Sequence, residues 1–440
     1  MSKRIKCIIA LLLTALLLSG CMPTVDEMYF PPKRSEYYKD LQSAIEGAMS
    51  GLDYCAPLSG EHQQAVQNAD LNGDGEPEYL LFAKGGTERP LRILVFQEIA
   101  EKYVHVQTIE TTGAAFEQVE YAELDDRDGV EIVVGSQVAE EVVRSVSVYT
   151  FDTDMNVSTL LTTNYSKFLT VDLDSDNRME LFLLRPGQTD ADSGIAELYG
   201  MENGILERSN EMNMSEPADR MKRIIVGKLH GGEPAVYVAS AVGDTALITD
   251  VYACIDGMLE NVSFSNESGT SVMTMRNYYV YADDIDNDGT VELPVLINMI
   301  PMGNAISAER HDLIRWYAMK ADGSEVEKKY TYHNFVGGWY LELDSSWASR
   351  LTVQQQGDAY EFHLWNETFT ETEKVLTITV VSGQNRAEQN GDTNRFVVYT
   401  TESTMFWATL SESAHNYGIT QDAIIKRFHL IQRDWKTGET

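Results

Sequence analysis

Apolar and polar positions alternate in short runs along most of this 440-residue chain, the period-two signature of β-strands with one or both faces covered. From about Cys55 to His333 the runs repeat one plan: a short strand, an acidic turn, then three more strands. Unit one shows it plainly. Ala65–Ala69 enters the turn, Tyr79–Ala83 leaves it, and Leu91–Phe96 and Tyr103–Ile109 come next. Turns begin at Asp70, Glu123, Asp172, near Lys228 and at Asp284, giving intervals of 53, 49, 56 and 56 residues. Repeats of about 40 to 55 residues mark arrays and propellers, in which each unit buries its apolar face against a neighbour. The pattern predicts a mainly β fold: a β-propeller of about five four-stranded antiparallel blades over residues 53–335, closed by a strand from one end of the repeats.

Helical spacing occurs twice. Within 35–52, Tyr38, Leu41, Ile45 and Met49 recur at three and four residues, predicting an amphipathic helix that caps one face of the repeat region. A second helix is expected over Gln421–Trp435, with Thr420 as N-cap and Ile424, Ile425, Phe428, Ile431 and Trp435 on one side. Between His333 and that helix the acidic turn does not recur, and all six tryptophans lie from Trp316 onward. Strands are expected at Trp339–Leu343, Leu351–Gln355, Tyr360–Trp365, Val375–Val381, Phe396–Thr400 and Met405–Leu410. Residues 336–440 thus read as a small C-terminal α+β domain with a core of its own.

The chain starts with Lys3, Arg4 and Lys6, continues with the apolar run Ile8–Leu18, and reaches Leu18-Ser19-Gly20-Cys21. That order describes an export signal over residues 1–20, too short to span a bilayer as a helix. The small residues before Cys21 resemble the lipobox of bacterial lipoproteins. The resemblance implies that Cys21 becomes the lipid-modified first residue and anchors the chain to the outer face of the cell membrane; a plain signal with an incidental cysteine is the other reading. Residues 21–34, with Pro31-Pro32, read as a tether, which at about 3 Å per residue reaches roughly 40 Å.

Sixty-eight acidic against 34 basic residues give a formal charge of −34, and loss of the three basic residues in 1–20 takes it to −37. Such a surface repels phosphates, so nucleic acid is excluded as a partner, and divalent cations are favoured. Cys55 and Cys254 remain as a possible disulfide or as two small core residues.

Three turns carry the chemistry: Asp70-Leu-Asn72-Gly-Asp74-Gly-Glu76-Pro-Glu78, Asp172-Leu-Asp174-Ser-Asp176-Asn-Arg178-Met-Glu180 and Asp284-Ile-Asp286-Asn-Asp288-Gly-Thr290-Val-Glu292. Positions 1, 3, 5 and 9 bring side-chain oxygens around one point, and position 6 is a glycine or asparagine where the chain turns. That donor set suits a hard cation such as calcium. The alternative is an Asp/Asn/Gly turn without metal. Loop two has Glu123, Asp125 and Glu131 at positions 1, 3 and 9 but Arg127 at position 5, where a guanidinium can neutralise the carboxylates itself. Loop four, Lys228-Leu-His230-Gly-Gly232-Glu233, is shorter and basic.

The Asp-x-Asp-x-Asp-Gly-x-x-Glu pattern leading into an apolar strand resembles the FG-GAP and VCBS repeats of β-propeller proteins. Asn277-Tyr278-Tyr279-Val280 and Tyr332-His333-Asn334 further resemble clostridial-type surface lipoproteins with VCBS repeats. The resemblance implies about three structural calcium sites. Their ligands would be the side chains of Asp70, Asn72, Asp74 and Glu78, of Asp172, Asp174, Asp176 and Glu180, and of Asp284, Asp286, Asp288 and Glu292, with the carbonyls of Glu76, Arg178 and Thr290.

No Gly-x-Ser-x-Gly, His-Glu-x-x-His or phosphate-binding glycine loop occurs. His333 near Gly337-Gly338-Trp339-Tyr340 is the most site-like cluster, and a domain junction explains it equally. Trp339, Trp347 and Trp365 are either a sugar-stacking platform or core. The expectation is a membrane-anchored, non-catalytic binding or scaffold module for a surface protein or glycan. The alternatives are an envelope polysaccharide-processing enzyme and an envelope assembly factor.

Overall fold

The computed structural model describes residues 36–86, 88–138, 144–189, 192–277, 280–302, 311–383 and 394–431. The signal, Cys21, the tether and Tyr278-Tyr279 therefore lie outside the described residues.

The described chain is mainly β, folded into six antiparallel sheets of four or five strands that succeed one another in sequence. The second sheet is typical: Ala115–Ala122, Glu131–Gln137, Arg144–Phe151 and Val157–Tyr165 form a simple meander. The first sheet carries two short strands, Leu52–Tyr54 and Val66–Ala69, end to end along the same edge of Glu78–Gly85.

Alternation decides how the sheets stack. In Glu180–Arg185, Leu181 and Leu183 enter the core shared with the second sheet, while Phe182 and Leu184 enter the core shared with the fourth. A sheet covered on both faces needs apolar residues in both phases, which is why these strands read as near-continuous hydrophobic runs. Successive cores join sheets one and two, two and three, three and four, and four and five.

The two ends of this row are covered differently. The helix Glu36–Ala48 lays Leu41 and Ile45 on Leu81, Ala83, Leu94 and Phe96 of the first sheet. It stops four residues before the end of the expected span, because Gly51, at φ +76, turns the chain into the strand Leu52–Tyr54. At the other end the sixth sheet packs on the fifth through Tyr332, Trp339, Tyr360, Phe362 and Phe406. Among the described residues no apolar cluster joins the first sheet to the fifth or sixth.

Trp339–Leu343, expected to open the C-terminal unit, is instead the fourth strand of the fifth sheet, and Phe428–Leu430 pairs beside it as the fifth. The second helix covers only Gln421–Arg427, with Thr420 capping it by accepting the Ala423 N–H at 3.2 Å. The apolar spacing beyond Arg427 suits a strand as well as a helix. The open edge of Trp339–Leu343 decides between them, since it offers backbone hydrogen bonds, and the Phe428 ring stacks on Trp339 at 5.4 Å. Residues 432–435 of the expected helix lie outside the described residues. Cys55 and Cys254 are free thiols, each packed at the margin of a different core.

Candidate metal centres

The loops share a buried framework. Position 2 is a leucine or isoleucine in every loop, and Leu71, Leu124, Leu173, Leu229 and Ile285 each plug a different apolar cluster. In loops one, two, three and five the position-9 glutamate begins the strand that leaves the loop and is buried. Its carboxylate accepts the position-2 N–H: Leu71 to Glu78 at 2.9 Å, Leu124 to Glu131 at 3.0 Å, Leu173 to Glu180 at 2.7 Å and Ile285 to Glu292 at 3.1 Å. Neighbouring loops are also joined through the backbone. The position-8 N–H groups of Val130, Met179 and Val291 donate to the position-1 carbonyls of Asp70, Glu123 and Lys228 in the loops before them, at 3.0, 2.8 and 3.1 Å. Gly73 sits so close to loop two that a β-carbon there would meet the Asp128 carbonyl oxygen at 2.0 Å.

Two loops bring three carboxylates together. Asp172, Asp174 and Glu180, and likewise Asp284, Asp286 and Glu292, each contribute an oxygen within 4.8 Å of the others. These are positions 1, 3 and 9. The position-5 carboxylates stand aside: Asp74, Asp176 and Asp288 each accept the N–H of position 7, from Glu76, Arg178 and Thr290, at 2.8 Å. Their second oxygens meet the Asn72 amide at 3.2 Å, the Arg178 guanidinium and the Lys328 ammonium at 2.6 Å respectively. Loop one forms no such trio of carboxylates, because its position 3 is the amide of Asn72.

Unsatisfied oxygens point into both trios. Asp172 Oδ1 and Glu292 Oε1 are buried without a hydrogen bond, and Glu292 is wholly buried. Burial is the main force raising the carboxyls of Glu180 and Glu292 to about 7, with the neighbouring aspartates adding to it and the Leu173 and Ile285 N–H bonds opposing it. Burial raises Glu78 and Glu131 as well. Each trio therefore needs protons or a cation, and an all-oxygen donor set fits calcium.

Loop two carries its own cation. Arg127 reaches Asp125 at 2.7 Å, Glu131 at 3.1 Å, the Phe151 carbonyl at 3.2 Å and the Thr150 hydroxyl, so its guanidinium bridges positions 3 and 9. Loop four closes as a backbone-bonded turn, with Leu229 N–H on the Glu233 carbonyl at 2.8 Å. Lys328 comes from the third strand of the fifth sheet and also stands 3.6 Å from Glu292. Forty residues separate it from Asp288, and nothing in the sequence signals the pairing. The buried apolar position 2, by contrast, is visible in all five loops.

The other sequence candidates lie in packing. Trp339 and Trp347 are buried, and the half-buried Trp365 donates to the Ile300 carbonyl at 3.2 Å. His333 lies among Trp316, Phe335 and Tyr340, and burial depresses its pKa to about 3.

No family model and no curated protein matches the chain. Among solved structures, the exotype rhamnogalacturonan lyase YesX is 12% identical with a TM-score of 0.31, and the alignment covers 74% of this chain and 65% of that one. A putative 6-phosphogluconolactonase from Bacteroides uniformis is 12% identical at TM-score 0.28, covering 71% and 95%. Sqt1 of Chaetomium thermophilum is 9% identical at 0.31, covering 81% and 97%. Likenesses this distant carry no conclusion about activity.

Arg127→Asp is expected to convert loop two into a metal site and raise the calcium stoichiometry by one in calorimetric titration; unchanged stoichiometry counts against a guanidinium standing in for the cation. A second expectation concerns pH. Without metal, Glu180 and Glu292 hold protons up to about pH 7 in the folded chain but only to the ordinary 4.5 when unfolded. The folded state then binds more protons between those values, so these two groups make metal-free stability fall as pH rises through that window. Asp176 and Asp288, held low by Arg178 and Lys328, act below it. Melting in chelator should therefore lose ground from about pH 5 to about pH 8, and saturating calcium should flatten the loss. A chelated protein whose melting temperature climbs over that range would rule this out.

Proposed function

We propose that this chain is a calcium-braced, propeller-like scaffold of the FG-GAP/VCBS type that binds a protein or glycan outside the cytoplasm, held to a membrane by lipid on Cys21. One observation carries the calcium half: two trios of converging carboxylates occupy equivalent positions in a repeated loop, and a third copy of that loop carries a guanidinium between the same two positions. Metal in loops three and five would neutralise the carboxylates that otherwise strain the start of the second strand. The extracytoplasmic half rests on the ordered charged, apolar and small-residue segments before Cys21. A stacked array of two-faced sheets presents long rows of turns, which suits recognition better than enclosing a deep catalytic pocket.

Calorimetric titration of the chelator-stripped chain should find two calcium sites, and melting should shift upward, by up to about 2.7 kcal/mol of added stability per site at a hundredfold excess over Kd. No heat and no shift would remove calcium from this reading. The anchor is tested separately: Cys21→Ser should move the protein from the membrane fraction to the soluble one, and continued membrane retention would refute lipidation at that residue.

A further inference from the structure

The two trios differ in what lies in front of them. At loop five the Lys328 ammonium stands against Asp288 and Glu292 and fills the approach. At loop three Asp174 and Glu180 line a cavity of about 490 Å³, within the range of about 300 to 1,000 Å³ typical of small-ligand sites. Its other walls come from the second hairpin of the third sheet, through Gly200 and Arg208, and from Cys254 at the next sheet's hairpin.

Two features point into this cavity. Glu180 is only 7% exposed, its Oε2 accepts the Leu173 N–H at 2.7 Å, and the residue belongs both to the trio and to the cavity wall. Gly200 lies opposite Glu180 where a side chain would stand; a β-carbon there would meet nothing nearer than Glu180 Cγ, at 3.9 Å. The space beside Glu180 is thus kept open by the absence of one side chain.

We infer that the loop-three metal keeps coordination positions open to this cavity and takes there two adjacent hydroxyls of a neutral saccharide. This rests on the calcium reading above. Calcium accepts about six to eight oxygens; with each carboxylate of the trio offering one oxygen, as they converge here, and one carbonyl beside them, the remaining positions would go to water or ligand oxygen. Anionic ligands are disfavoured, because acidic side chains outnumber basic ones around the cavity and its two guanidinium groups are already paired, Arg178 with Asp176 and Arg208 with Glu197 and Glu211. A hydroxyl-rich neutral ligand offers oxygens to the cation and donors to the surrounding carboxylates.

Terbium serves as the probe, in the full chain carrying Glu292→Gln to silence loop five. Luminescence lifetimes in light and heavy water count the waters on the bound ion. About two or more are expected, with mannose or galactose displacing them. Gly200→Val should leave terbium affinity within about twofold and weaken the saccharide at least about tenfold. Terbium bound without water, or no displacement across a panel of mono- and disaccharides with vicinal diols, overturns the inference and leaves the metal site standing. Absence of terbium binding overturns the calcium reading beneath it.

Discussion

A carboxylate buried at the first residue of a strand has to be neutralised, and the loops of this protein are organised around that requirement. Glu78, Glu131, Glu180 and Glu292 each hold the position-2 N–H and so fix where the leucine or isoleucine plug enters the core. That single bond ties the turn to the packing between sheets. It also commits a charge to a place where charge is costly, since removing a carboxylate from water costs several kcal/mol unless a partner stands beside it. The partner differs from loop to loop, a guanidinium in loop two and converging acids that call for a cation in loops three and five.

Because the loops are hydrogen-bonded to one another through positions 8 and 1, the state of one loop bears on its neighbours. Met179 of loop three donates to Glu123 of loop two, and Arg178 also stands 3.5 Å from Asp126 of that loop. The guanidinium-bridged loop two therefore adjoins the acid cluster of loop three, which could hold a metal ion. The same coupling runs through the apolar layers, where each plug residue packs between sheets, so rigidity gained at one loop is carried into two sheets at once.

Much of this was legible in the chain. The strands Trp339–Leu343, Leu351–Gln356 and Ala359–Trp365 lie within a residue of their expected bounds, because alternation and glycine- or proline-marked turns are local signals. Carboxylates at positions 1, 3 and 9 were readable for the same reason. What escaped was tertiary. Lys328 reaches loop five from another strand, and Phe428 leaves a helix because a sheet edge happens to be open beside it. Spacing along a sequence carries no information about which cation a distant strand delivers.

The choice between guanidinium and metal has a physical consequence. Arg127 is part of the chain and cannot leave loop two, so that loop carries its own counter-charge between Asp125 and Glu131. Loops three and five instead bring together carboxylates that could hold a metal ion, and the Glu180 and Glu292 carboxyls, raised to about 7 by burial, would give up protons to such an ion in the same range. The difference comes from placing an arginine at position 5 of one copy of the loop and converging three carboxylates in two others.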